Sequence, residues 1–225
     1  MRDANNKKNL MMKQLVLLLF CVLSFSAICQ TEQTKNNYQL GMTKAFELWK
    51  NDKPWEAVNI FERIARAQPD NWLPPFYVAQ VIVLNSFNEK DKEKITKQLG
   101  KASDFLNDAK ALSKDNPEIM VVEAQWYTAW VAFDGMQYGM KYSAKIEAIY
   151  KKASLLAPDN PRVVLGKTEW SMGMAQYFGQ DISNYCPELA RAVALFDTFV
   201  PEYEFSPIGG KEYAKSVVLK TCKKQ

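Results

Sequence analysis

The chain of 225 residues contains no histidine. That removes the usual general base near neutral pH, the base of the common catalytic triads and the commonest metal ligand. Cysteine is scarce, with four residues at 21, 29, 186 and 222, and none of their spacings matches a zinc site. Nine glycines form no phosphate-cradling loop, and Gly209-Gly210 is the one adjacent pair. Neither charge dominates. The longest apolar run, Leu15 to Ile28, is 14 residues, short of the roughly 20 that a membrane span needs.

That run belongs to a leader. Lys13 precedes it, and Ala27-Ile28-Cys29 ends it with small residues before Gln30. A charged n-region, an apolar h-region and such a cleavage site predict a signal peptide over residues 1–29. Met11 or Met12 fits this pattern as a start better than Met1. Phe20 and Ile28 stand before Cys21 and Cys29, where a lipoprotein signal wants a small residue, so no lipid anchor is expected. The leader holds four of the 29 basic residues and one of the 25 acidic ones. Residues 30–225 therefore carry 25 against 24, a formal +1. Nothing in that balance points to nucleic acid. The expected location is periplasmic or extracellular, with no transmembrane span left after cleavage. Cys186 and Cys222 then remain. An oxidising compartment permits a disulfide between them, and two separate thiols are the other reading.

What the sequence does have is a repeated turn. It reads Pro69-Asp70-Asn71, then Asp115-Asn116-Pro117, then Pro158-Asp159-Asn160-Pro161, with the asparagines 45 and 44 residues apart. Proline cannot continue a helix. Asp and Asn cap the next one, and Pro117 and Pro161 suit its first position. A stop-cap-start signal at a fixed period is the mark of a helical repeat. Apolar periodicity predicts helices from Tyr38 to about Lys50, from Trp55, from Trp72 to about Phe87, through Ile95 to Ala109, over 118–133, from Tyr142 to Ala157, from Pro161 to Gly179 and from Cys186 to Val200. Residues 201–210 read as irregular, before a short terminal helix at Glu212–Thr221. The run Glu89 to Lys94 alternates in sign and reads as a solvated face with local ion pairs. The segment 118–133 carries two apolar stripes. One is Ile119, Val122, Trp126, Trp130 and Phe133; the other is Met120, Ala124, Tyr127 and Val131. Apolar residues on both sides predict burial between two neighbours.

Ala57-x-x-x-Phe61, with Pro69 eight residues later, resembles the second half of a tetratricopeptide repeat (TPR). Ala45 fills the small slot of the preceding helix, and Ala79 follows it by 34 residues, the period of that family. Tyr150 and Pro158 repeat the aromatic-to-proline spacing, with Ile146 in the small slot. Phe105-x-x-x-Ala109 inverts the large and small positions, Gly41 and Lys44 replace a usual apolar pair, and Pro201 follows Phe196 by only five. The resemblance implies an all-α fold of about four antiparallel helix pairs stacked as a short superhelix over residues 30–225. In such stacks the small residues let paired helices approach, the aromatic wedges against the next unit, and first helices line the concave side. The 44–45-residue spacing implies longer helices or loops in the middle units.

Candidate groove residues on the first helices are Tyr77, Gln80, Glu123, Gln125, Tyr127, Lys167, Glu169 and Gln176. The expected function is a non-catalytic scaffold for protein partners in the cell envelope, holding a peptide segment in a preformed groove. No cofactor or metal is expected. The rival reading is a glycan-binding or glycan-hydrolysing envelope protein. It would use aromatics such as Trp126, Tyr127 and Trp130, with Glu118 and Glu123 or Glu169 and Asp181 as carboxylate pairs.

Overall fold

A computed structural model describes residues 36–222. The expected leader therefore lies outside the described residues. Within them the chain is all-α. The helices are α1 (36–50), α2 (Pro54–Ala67), α3 (Leu73–Ser86), α4 (Lys92–Leu112), α5 (Pro117–Phe133), α6 (Gly135–Leu156), α7 (Pro161–Tyr177), α8 (Cys186–Thr198) and α9 (Lys211–Cys222). A single 3₁₀ turn, Ser183–Tyr185, leads into α8. Short connections make sequential helices antiparallel neighbours, so the architecture is four TPR-like pairs, α1–α2 through α7–α8, closed by α9.

The repeated turn does what its chemistry requires. Asn116 accepts from the Glu118 amide at 2.9 Å, and Asn160 from the amides of Arg162 and Val163 at 2.9 and 3.2 Å. Asn71 accepts from the Leu73 amide at 3.0 Å. Each such cap is worth about 1 kcal/mol. Asp115 sits at φ +55°, the left-handed turn that reverses the chain between α4 and α5. The long period comes from the second helices, since α4 and α6 run 21 and 22 residues.

Small residues and aromatics meet as the resemblance implies. Ala45, Ala57 and Ala79 are fully buried. A Cβ at Gly41 would lie 3.0 Å from Ile64 of α2, so glycine there lets α1 and α2 approach closely. Phe61 of α2 stacks on Tyr77 of α3 with ring centroids 5.2 Å apart. Tyr150 of α6 meets Gly166 of α7, where a Cβ would be 2.7 Å from the phenol oxygen. Phe196 of α8 abuts Gly210 just before α9 in the same way. In α2, α6 and α8 an aromatic thus fills the seam to the next element, while α4 buries Leu106 and Ala109 instead. Burying each aromatic contributes roughly 2–3 kcal/mol.

The two stripes of α5 serve two cores. Ile119, Val122, Trp126, Trp130 and Phe133 join the cluster shared with α1 to α4. Met120, Ala124, Tyr127 and Val131 join the cluster shared with α6 and α7. Trp126 donates its indole N–H to the Leu99 carbonyl at 2.7 Å. Its polar edge is spent on α4, and its ring packs against Tyr127, Trp130 and Tyr142.

Two expectations need correction. The helix expected from Tyr142 begins at Gly135, because Asp134 ends α5 and its side chain caps α6 by accepting from the Gln137 amide at 2.9 Å. The charged run 89–94 is a cap and not a ladder of ion pairs. Asp91 accepts from the amides of Glu93 and Lys94, and Glu89 from those of Lys90 and Asp91. Backbone N–H donation, from Lys94 to Asp91 and from Asp91 to Glu89, holds both carboxyls below their ordinary range.

Cys186 and Cys222 form a disulfide with Cα atoms 5.8 Å apart, which joins the start of α8 to the end of α9 across 36 residues. Closing a loop of that length in the unfolded chain is worth about 4 kcal/mol at most. Reduction, or the double change Cys186→Ser and Cys222→Ser, should lower the unfolding free energy by up to this value. Guanidinium melts with and without reductant check it.

Candidate functional site

The first helices α1, α3, α5 and α7 lie side by side and define one face of the stack. On α5 that face carries Glu118 and, seven residues on, Gln125. On α7 it carries Arg162 and, seven on, Glu169. Arg162 grips Glu118 with two bonds, 2.7 and 2.6 Å, and the Asn160 amide donates to the same carboxylate at 2.5 Å. Arg162 and Glu118 are both buried, and the third guanidinium nitrogen, Nη1, has no partner among the described residues. Glu169 accepts from the Tyr213 phenol of α9 at 2.5 Å, while burial raises its carboxyl above the ordinary value.

The groove is crossed by the chain itself. Between α8 and α9 the segment 199–210 runs back over the first turns of α7, α5 and α3 to reach α1. Phe199 lies over the Arg162 guanidinium at 4.4 Å. The Phe205 carbonyl accepts from the Tyr77 phenol at 2.7 Å. The Phe205 ring stacks on Phe46 at 6.0 Å and meets Tyr38 edge-on at 5.7 Å. Gln39 donates to both oxygens of Glu204 at 3.2 and 2.9 Å. Burial pushes the Tyr77 phenol well up, so it stays a proton donor throughout the physiological range.

Beneath the middle of this segment is a cavity of about 400 Å³, bounded by Trp72, Pro117 and Asn160 below and by Val200 and Tyr203 above. Its polar side chains are largely engaged with each other. Asn116 donates to Ser113, Asn160 to Glu118, and Ser206 accepts from the Tyr203 amide. This leaves few groups to hydrogen-bond a sugar.

The groove candidates divide by face. Tyr77 is buried in the core among Phe46, Phe61 and Phe76, and its phenol oxygen meets the segment that crosses the groove. Gln125 and Glu169 share its face, and Gln176, seven residues beyond Glu169, continues it into solvent. Gln80 is half-buried on α3. Three need correction. Glu123 pairs with Lys110 of α4 at 2.7 Å, and Tyr127 packs on Tyr142 with Lys145 over its ring at 4.7 Å. Lys167 follows Gly166, whose position abuts Tyr150, and stands about 140° round the helix from Arg162. All three face the outer layer of second helices. Residues 123, 127 and 167 sit on first helices, but a helix that packs on both sides leaves only one narrow strip free. The carboxylate pairs are not assembled either. Glu118 is neutralised by Arg162, Glu123 by Lys110, and Asp181 is engaged with Ser183. Sequence reasoning missed Arg162 and the crossing segment. A basic residue two positions after a capping Asn was the one available signal for the former.

Known structures bear on this arrangement. HusA haemophore from Porphyromonas gingivalis superposes with a TM-score of 0.70, at 18% identity, over 81% of this chain and 91% of that one. The chain shares the all-α helical-repeat fold of that protein. A thermophilic TPR protein in Thermus thermophilus aligns over 84% of this chain and 93% of that one, at 15% identity and a TM-score of 0.40. No protein-family profile and no curated protein matches. Among the described residues no helix is long and apolar enough to cross a membrane, and no cluster of three metal-ligating side chains occurs.

The buried ion pair yields a direct test. Arg162→Met would strip Glu118 of its counter-ion and should cost about 3–5 kcal/mol. The double change with Glu118→Met should recover most of that loss. Urea melts of the two single variants and the double one measure the coupling.

Proposed function

We propose that this chain is an exported, non-catalytic scaffold whose concave groove holds a partner polypeptide in the cell envelope. One observation carries the reading. The groove already holds an irregular, turned stretch of chain, through a side-chain donor to a backbone carbonyl and through aromatic seats for its side chains. Those are the means by which a repeat groove reads a peptide. The leader pattern supports export, and so does the Cys186–Cys222 bridge, since disulfides persist in oxidising compartments. A photo-crosslinking residue at Gln125, tested in the native envelope and read by mass spectrometry, should capture protein neighbours. The same residue at Lys167, on the outer layer, should not. Capture of small molecules alone at Gln125 would end the scaffold reading.

A second reading follows from the haemophore whose fold this chain shares. Met136 and Met140 stand one turn apart at the start of α6, 90% and 95% exposed, beside Lys141 and Lys145. Thioethers can ligate haem iron, and lysines can meet its propionates, which suits a chain without histidine. On this reading, haemin titration gives a Soret shift that weakens in Met140→Ala; an unshifted Soret band rejects it.

A further inference from the structure

We propose that the segment 199–207 is a displaceable strap, an internal occupant of the groove. When it swings out, the groove takes in its place a peptide that adopts the same turn and carries the same chemistry: an aromatic, then acidic residues, then a second aromatic. This inference rests on the peptide-groove reading and names the ligand class and the regulation of that site.

The strap is held at two points and loose between them. Phe199 is seated on Arg162, and Phe205 on Phe46 and Tyr38. Between these anchors Val200 is 81% and Tyr203 55% exposed, with the 400 Å³ cavity beneath. That space opens to solvent, so the middle of the strap lacks the close packing of a core element. Phe205 is also held at φ +62°, a conformation that side chains other than glycine resist. Releasing the anchor relieves it.

The ends are built to let the middle move. Asp197 and Lys211 form an ion pair where the strap leaves α8 and enters α9. Gly210, at φ +116°, makes the turn against Phe196. Outside these, the disulfide ties α8 to α9. The strap can therefore leave as a closed loop without unpacking either helix. What it exposes is a row of matched seats: a guanidinium under one aromatic, the Gln39 amide for a carboxylate, a phenol donor for a carbonyl and an aromatic box for the second ring. The recognised sequence is thus legible in the strap itself, as Phe199-x-x-Glu202-Tyr203-Glu204-Phe205.

The test uses the full chain and a fluorescein-labelled peptide with the sequence of residues 198–208. In the wild type the strap competes, so apparent affinity is reduced by the fraction of molecules open. In Phe199→Ser/Phe205→Ser the anchors are lost from the strap while the groove is intact. Peptide affinity by anisotropy should rise about tenfold or more, as expected when a mostly closed site becomes mostly open. Hydrogen exchange at the Tyr203 and Ser206 amides, both bonded within the strap, should rise in parallel. Glu204→Ala, which removes the Gln39 bonds alone, should fall between the two. Circular dichroism and a cooperative melt show that the variants fold. A variant with freely exchanging strap amides and no gain in affinity overturns the inference. So does a variant that becomes a strap-exchanged dimer on size exclusion, since the occupant would then be a second copy. If the peptide fails while Gln125 still crosslinks to protein neighbours, the strap inference alone is lost. If both fail, the groove reading goes with it.

Discussion

Stacking in this protein depends on one recurring contact, an aromatic ring on a second helix driven into the seam before the next unit. Phe61 meets Tyr77, Tyr150 meets Gly166, and Phe196 meets Gly210. The ring sets how far apart successive pairs stand, and the residue opposite must be flat or absent for the seam to close. At Gly166 a Cβ would lie 2.7 Å from the Tyr150 oxygen, so the space is already taken. Because interiors are close-packed, such a contact is not freely adjustable, and the angle between units follows from it.

That spacing in turn places the first helices near enough to bond across the concave face. Glu118 of α5 and Arg162 of α7 bond directly, while Tyr150 of α6 seats against Gly166 of the same α7. The pair gives the groove a buried, neutralised floor, on which Phe199 lies flat. The charge pairs on the outside act differently. Lys110–Glu123 joins α4 to α5, Lys152–Asp115 and Arg191–Asp159 tie helices to neighbouring turns, and such partly exposed pairs add little stability. The groove network is the one in which burial makes partner loss expensive.

Much of the fold was legible from local chemistry. The Asn116 and Asn160 caps announce themselves, since Asp-Asn-Pro suits few other structures. The two stripes on 118–133 announced a helix sandwiched between two cores, and each stripe went whole to its own core. The early start of α6 was hidden, because Asp134-Gly135 is as good a stop as a start and α6 follows α5 with no intervening loop. Site residues were harder. Periodicity says that Glu123 and Gln125 are both polar positions on a first helix. It cannot say which one the neighbouring α4 will claim. Glu123 went to Lys110, and Gln125 was left on the groove side.

The sequence alone determined the number of helix pairs, the caps that begin three of them, and the absence of histidine chemistry, because each is set by residues within a turn or two of one another. Tertiary structure alone decided that Cys186 and Cys222 bond, that Arg162 neutralises Glu118, and that residues 199–207 lie in the groove. Those contacts join residues 36, 44 and, for Tyr77 and Phe205, 128 positions apart. No local pattern encodes such a meeting. It arises only when the pairs have stacked and the segment after α8 runs back over their first helices to α1.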